Sequence, residues 1–214
     1  MESPRLILAS ASPRRRELLA LLGLPFEVLP SRYEEPSPPT TPIALDAFVT
    51  HLAQNKAGEV AERIEAGTII GADTLVTLER GALGVPLGKP TDTADAARML
   101  RLLSGAVHTV YTGVAVIRKA TADSVLEMFC ASVQTQVRFR ELSERTIADY
   151  IATGEPMDKA GAYGAQGYAA PFIEGFEGDF YNVVGLPLCT LGRLLEESGL
   201  NWSECRLQMP PLIG

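Results

Sequence analysis

The chain has 214 residues, 46% of them apolar, enough for one large domain or two lobes that share a sheet. Its net charge of −7 argues against a nucleic-acid coat protein, because phosphate backbones are bound through clustered Lys and Arg, yet leaves room for a local nucleotide site. Three cysteines without C-x-x-C spacing and only two histidines point to buried, inert thiols in a reducing compartment and away from a Cys/His zinc site.

The segment "LILASASPRRREL", residues 6–18, begins as a strand over 5–10 and continues as a helix over 13–22. Ser12 is a good N-cap, Pro13 suits the first helical position, and Gly23 marks the end. Arg14, Arg15 and Arg16 then fall in the first turn, where the helix dipole disfavours each cation by roughly 0.3–1 kcal/mol. A phosphate bound at the helix N-terminus would offset that cost. A solvated surface turn is the alternative.

"PSRYEEPSPPTTP", residues 30–42, is a long loop carrying Glu34 and Glu35, each of which would be solvated by default. Thr41 and Pro42 open a second helix to about Ala66, with Phe48, Leu52 and Val60 toward the core and Lys56 a surface residue by default. "TIIGADTLVTL", 68–78, is a central strand interrupted by Asp73. A carboxylate there needs a cation or a metal, or accepts backbone hydrogen bonds at a bend. A turn at 79–84 leads to a short extended piece ending at Gly88-Lys89-Pro90. That fixed backbone aims the Lys89 ammonium, or Lys89 is a plain loop lysine.

Thr91 or Asp92 caps a helix through Leu103, closed by Gly105. Residues 107–118 and 125–139 alternate as an antiparallel hairpin. Ser143 caps a helix to about Thr153. The glycine-rich run 154–167 is a poor recipe for regular structure. A strand near 180–184 and a helix over 187–198 follow, and the tail is expected to be loose. The expected organisation is a single domain over 1–205 with a loose tail at 206–214. No apolar run reaches membrane-spanning length and no signal-peptide pattern is present, so a cytoplasmic protein without a membrane partner is expected.

Familiar phosphate motifs fail. "GVPLGKP", 84–90, has one residue too few for a P-loop, and Pro90 stands where Ser or Thr must ligate Mg²⁺. "GAYGAQG" is not a dinucleotide-binding fingerprint, and no G-x-S-x-G elbow exists.

The pieces in order resemble the Maf family of nucleoside triphosphate pyrophosphatases. They are "LASASPRRRELL", "EE" at 34–35, "LAQNKA" at 52–57, "GADTLV" at 71–76, "GKPTD" at 88–92, "MLRLLSGAVHTVYTGVAV" at 99–116, "GEPMDKAGAYGAQG" at 154–167 and "NVVGLPL" at 182–188. The resemblance implies an α/β fold like that of the inosine-triphosphate pyrophosphatases, with a long mixed β-sheet flanked by helices and a cleft between two lobes. It implies release of pyrophosphate with a divalent metal, Mg²⁺ or Mn²⁺. Asp73 is then the general base or a metal-bound water orienter, two roles the sequence does not separate, and Glu35 is the second metal carboxylate. Arg14, Arg15, Lys56 and Lys89 meet the phosphates, Arg16 is surface, and Lys159 either pairs with Asp158 or joins the site.

Within the family, "DKAGAYGAQG" resembles the branch acting on dTTP and UTP. The resemblance gives Arg14, Thr74 and Gln166 as the base-discriminating set, and extends to modified pyrimidine nucleotides. Gln166 offers a donor and an acceptor, matching the N–H and carbonyl edge of a pyrimidine-dione, whereas a cationic methylated guanine favours a carboxylate. A homodimer and a role in cleaning nucleotide pools, with a link to arrest of cell division, are further implications. The competing readings are a non-catalytic nucleotide- or nucleic-acid-binding regulator and a phosphomonoesterase.

Overall fold

Three long strands carry the architecture. They are β3 (Gly67–Arg80), β5 (Val107–Lys119) and β6 (Glu127–Phe139), each antiparallel to its neighbour, with β3 and β5 rich in β-branched residues. The computed structural model describes residues 5–36, 45–80 and 83–202. Short strands complete a seven-stranded mixed sheet: β1 (Leu6–Leu8), β2 (Glu27–Val28), β4 (Leu83–Leu87) and β7 (Ile173–Glu177). The order is β2-β1-β3-β5-β6-β7, with β4 also paired to β3.

One detail of that pairing makes the cleft. β5 covers one edge of β3 continuously from Gly67 to Thr77. β1 and β4 must therefore share the other edge. β1 pairs, in parallel, with Thr68–Ile70, and β4 pairs with Val76–Arg80. Residues 71–75 of β3 are left between them without a strand partner on that side. The helices divide into two lobes around this gap.

On one lobe, α1 (Pro13–Ala20) and α6 (Leu188–Glu197) bury Leu18, Leu19, Leu191 and Leu195 against Ile70, Ala72, Val114 and Val116. The opposite face of the same lobe takes α2 (Leu45–Glu62), whose Ala53, Ala57 and Val60 pack on Ile69, Ala115 and Ile117. The other lobe is a separate core of Val76, Leu87, Val110, Val137 and Phe139 under α3 (Thr93–Leu103) and α4 (Glu144–Ala152).

Helix α2 lies unusually close to the sheet. A Cβ at Gly71 would come within 2.2 Å of the Ala53 carbonyl oxygen, and one at Gly113 within 2.3 Å of Val49. Only glycine permits that approach, which brings the Val49–Leu52–Ala53–Lys56–Ala57–Val60 stripe of α2 down onto the strands.

Several expectations are corrected. The strand near 180–184 is instead a helix, α5 (Phe180–Val184). Asp179 caps it, its carboxylate accepting from the Tyr181 and Asn182 N–H groups, and this local bonding beats the β-branched composition. The strand of this region is β7, one turn earlier. Helix α2 ends at Glu62 rather than near Ala66, and α1 ends at Ala20 with a turn through Gly23. Phe48 is only half-buried, and Cys130 and Cys189 are exposed, not buried. The expected opening of α2 at Thr41–Pro42, the tail at 206–214 and Cys205 lie outside the described residues. No helix among the described residues is long and apolar enough to cross a membrane.

Candidate active site

The period-2 alternation of a strand points Ile69, Gly71 and Asp73 to one face of the sheet and Ile70, Ala72 and Thr74 to the other. Asp73 therefore meets α2, and Thr74 meets α1. Both stand on the unpaired 71–75 edge, at the mouth of a cleft of about 750 Å³ between the lobes. Arg14, Arg15, Glu35, Lys56, Asp73, Thr74, Lys89 and Gln166 all line this cleft. Arg16 does not line it and is exposed, as expected.

On the α2 face, the ammonium of Lys56 sits between two carboxylates, 2.5 Å from Asp73 Oδ1 and 2.6 Å from Glu35 Oε1. Asp73 is only 8% exposed. Burial pushes its carboxyl above the ordinary value, against the pull of Lys56 and Arg15. Burial acts in the same direction on Glu35, but the hydrogen bond and charge of Lys56, with Lys89 and Arg15 behind it, hold that carboxyl below its ordinary value. The two acids thus have different proton affinities although they share one cation. Removing Lys56 would take away the cation in contact with both carboxylates and leave only the more distant charges of Arg15 and Lys89 to offset them.

On the α1 face, Arg15 curls back from the helix N-terminus. Its Nε donates to the Gly185 carbonyl at 2.9 Å, Nη2 to Thr74 Oγ1 at 3.0 Å, and Nη1 to Ser10 Oγ at 3.4 Å. Thr74 Oγ1 also bonds Thr112 Oγ1 at 3.0 Å, directly across the β3–β5 ladder, and Thr112 donates to the Asn182 carbonyl. Asn182 is fully buried, its amide donating to Val110 O and Thr135 Oγ1. The guanidinium is therefore held in a fixed orientation at the cleft wall. Arg14 instead crosses to Asp158, 3.2 Å away. The first turn of α1 contains no acidic residue, so the dipole penalty is met by these long-range partners.

The run 154–167 forms two short 3-10 turns, Glu155–Asp158 and Ala160–Ala162, with a third at Ala170–Phe172. Lys159 pairs with Asp158 at 2.6 Å and also donates to the Glu155 carbonyl. The pair forms, and both of its members also line the cleft. Gln166 is exposed at the cleft and its side-chain amide has no hydrogen bond among the described residues.

Three participants escaped the sequence reading: Ser10, Thr112 and Asn182. Nothing local marked Thr112, because its partner Thr74 lies on β3, separated from β5 by β4 and α3, and that pairing is a long-range one. Nothing in the sequence marked Asn182 or Ser10 beyond their presence in the matched segments.

Among the described residues no group of three or more His, Cys, Asp or Glu converges on one point. Glu35 and Asp73 do converge, as their common cation demonstrates. Two carboxylates are what a Mg²⁺- or Mn²⁺-type ion takes from a protein when phosphate oxygens and water complete its shell. The donor set fits such an ion.

A family model described as Maf-like protein matches residues 5–198. A dTTP/UTP pyrophosphatase of Moorella thermoacetica is 50% identical over 92% of this chain and 96% of its own. Proteins of the same name from Thermococcus gammatolerans and Geobacter sulfurreducens are each 48% identical, over 89% and 93% of this chain and 95% and 99% of theirs. A solved structure described as nucleoside-triphosphatase / dITP/XTP pyrophosphatase, from Mycobacterium abscessus, aligns over 92% of this chain and 98% of its own with a TM-score of 0.43 and 14% identity.

Proposed function

The chain belongs to the Maf family, and on that premise we propose that it hydrolyses dTTP and UTP, and modified pyrimidine nucleotides of the same edge, to the monophosphate and pyrophosphate. The observation that carries the reading is the convergence of one buried carboxylate, Asp73, with a set of cations at the 71–75 stretch of β3, which lies open on one edge between β1 and β4. Water attacks the α-phosphorus, the bond to the bridging oxygen breaks, and pyrophosphate leaves. Asp73 takes the proton from that water. Its raised proton affinity suits it to the task. Arg15, held by three bonds, together with Arg14, Lys56 and Lys89, meets the negative charge that builds on the leaving group. A divalent cation, Mg²⁺ or Mn²⁺, held by Glu35 and Asp73 would add charge neutralisation at the triphosphate.

Gln166 reads the base. Its unspent donor and acceptor match a ring N–H flanked by carbonyls, and Arg14 and Thr74 complete the set. Incubating the protein with a panel of nucleoside triphosphates and Mg²⁺ or Mn²⁺, then identifying the phosphate product, tests the reading. Pyrophosphate from UTP and dTTP is expected. Inorganic phosphate alone, or faster turnover of 7-methylguanosine triphosphate than of UTP, would overturn it. Gln166→Glu should erase the preference for UTP. A homodimer and a cytoplasmic location belong to the same proposal. Light scattering at micromolar concentration and cell fractionation check them, a single-chain mass refuting the first and a membrane-bound fraction the second.

A further inference from the structure

Gln166 rides on a stretch without ladder hydrogen bonds, so something else must fix where its amide points. One carboxylate outside the cleft, Glu155, is tied to both ends of that stretch. Its Oε2 accepts the backbone N–H of Tyr168 at 2.8 Å, and its Oε1 accepts the Tyr150 hydroxyl at 3.0 Å. That hydroxyl in turn accepts the backbone N–H of Gly164 at 3.2 Å. Residues 164 and 168 are thus both bound, directly or through one phenol, to the same acid, and Gln166 lies midway between them.

The glycines of the segment fit the same acid. A Cβ at Gly167 would come within 2.3 Å of Glu155 Oε1 and 2.4 Å of Oε2, and one at Gly164 within 2.9 Å of Oε1. Neither glycine has positive φ. At 167 it is the carboxylate, not the backbone conformation, that a side chain would meet; at 164 the Lys159 stem, 2.7 Å away, stands closer still than the carboxylate. The Glu155 side chain is itself anchored at its base, since Lys159 Nζ donates to its carbonyl at 2.7 Å.

We propose that Glu155 is the positioning residue for base selection: its carboxylate clamps the 164–168 segment and so sets the position of the Gln166 amide. The proposal rests on the reading of Gln166 given above. Discrimination by hydrogen bonding needs the amide held to well under an ångström, and on a loop that precision has to come from tied neighbours.

The test compares kcat and KM for UTP and CTP, whose pyrimidine edges present opposite donor and acceptor patterns. The variants are Glu155→Gln, Gly167→Ala, Glu155→Ala, the double variant Glu155→Ala/Gly167→Ala, and Gln166→Glu. Glu155→Gln and Gly167→Ala should each raise KM for UTP and cut the UTP-to-CTP ratio in kcat/KM about tenfold, the equivalent of one hydrogen bond, with kcat for UTP held within about threefold. In the Glu155→Ala background the added methyl at 167 has room, so Gly167→Ala should there cost little more.

If Glu155→Gln fails to fold, Gly167→Ala alone carries the decision. An unchanged ratio in the Glu155 and Gly167 variants, alongside a changed one in Gln166→Glu, overturns the clamp and leaves the role of Gln166 standing. Equal losses on both nucleotides with a lowered Tm reduce Glu155 to a structural residue and also overturn it. An unchanged ratio in Gln166→Glu removes the base reading, and the clamp with it.

Discussion

The cleft has one wall of regular structure and one of short turns. On the first, Asp73, Thr74, Lys56 and Arg15 sit on β3, α2 and α1, and their mutual contacts are 2.5–3.0 Å. Strand alternation and helix periodicity alone bring these groups together. On the second, Gln166 stands on a segment whose shape depends on Glu155, Tyr150 and two glycines. Arg14 and Asp158 link the two walls at 3.2 Å. On the proposed reading, Asp73, Lys56 and Arg15, assigned to the triphosphate, stand on a strand and two helices. Gln166, the member of the base-reading set that leaves this wall, is carried on a turn, which can change without disturbing the core.

The sharpest way to break this contrast is at the regular wall. Asp73→Asn keeps the shape and removes the proton acceptor. A loss of 10²–10⁴-fold in kcat is expected, on the scale of general-base removal, with the circular dichroism spectrum unchanged. Activity within about threefold of the parent, under roughly 0.7 kcal/mol of barrier, would remove Asp73 from the chemistry.

The next effect concerns three adjacent arginines with three different environments. Arg15→Ala should cost on the order of 10²-fold, because each charge-assisted bond is worth about 1.5–3 kcal/mol and Thr74 and Gly185 O also lose their partner. Arg15→Lys should recover little of this, since an ammonium cannot reproduce the fork. Arg14→Ala should cost about tenfold, and Arg16→Ala, exposed and outside the cleft, less than about twofold. Equal small losses for all three, measured as kcat/KM on UTP, would dissolve the distinction between them.

The regular wall was the more legible one in the sequence, for a physical reason. "ASPRRR" carries its own cap and helix start, and an aspartate inside an apolar strand demands a partner whatever the fold. Lys56 was harder to place. It looks like a surface lysine until its spacing from Val49, Leu52, Ala53 and Val60 is counted, which puts it on the buried stripe of α2. The gap between β1 and β4 was not legible at all, because strand pairing is a long-range choice. Residues 180–184 depart from the expected strand for a local reason: Phe, Tyr and Val favour strands, but Asp179 accepts two hydrogen bonds that start a helix. In the turn wall, the glycine-rich run reads only as a poor recipe for regular structure, and what its glycines approach is set by the packing: Val76 at Gly161, Lys159 and Glu155 at Gly164, and Glu155 at Gly167.

The smallest expected effect probes what lies beneath the turn wall. Tyr163 lines the cleft, and its hydroxyl lies 2.8 Å from Nε2 of His108, a residue 1% exposed whose Nδ1 has no partner. Burial lowers the imidazole from its ordinary value to about 4. The unfolded chain therefore takes up a proton between pH 6.5 and about 4 that the folded chain refuses. Stability is complete above that window and falls as pH falls through it, by about 2 kcal/mol between pH 7 and pH 5 for this group. His108→Gln keeps a polar atom near the Tyr163 hydroxyl and removes the titration. Its urea-unfolding free energy should be lower than that of the parent at pH 7 and should lose about 2 kcal/mol less on acidification to pH 5. Parallel losses in the two proteins would mean that His108 is already protonated in the fold. Base selectivity provides the comparison with the other wall: at pH 7 the UTP-to-CTP ratio should respond to His108→Gln, through Tyr163 and the turn that follows it, more than kcat does. A variant that lowers kcat and leaves the ratio alone would place this histidine under the wrong wall.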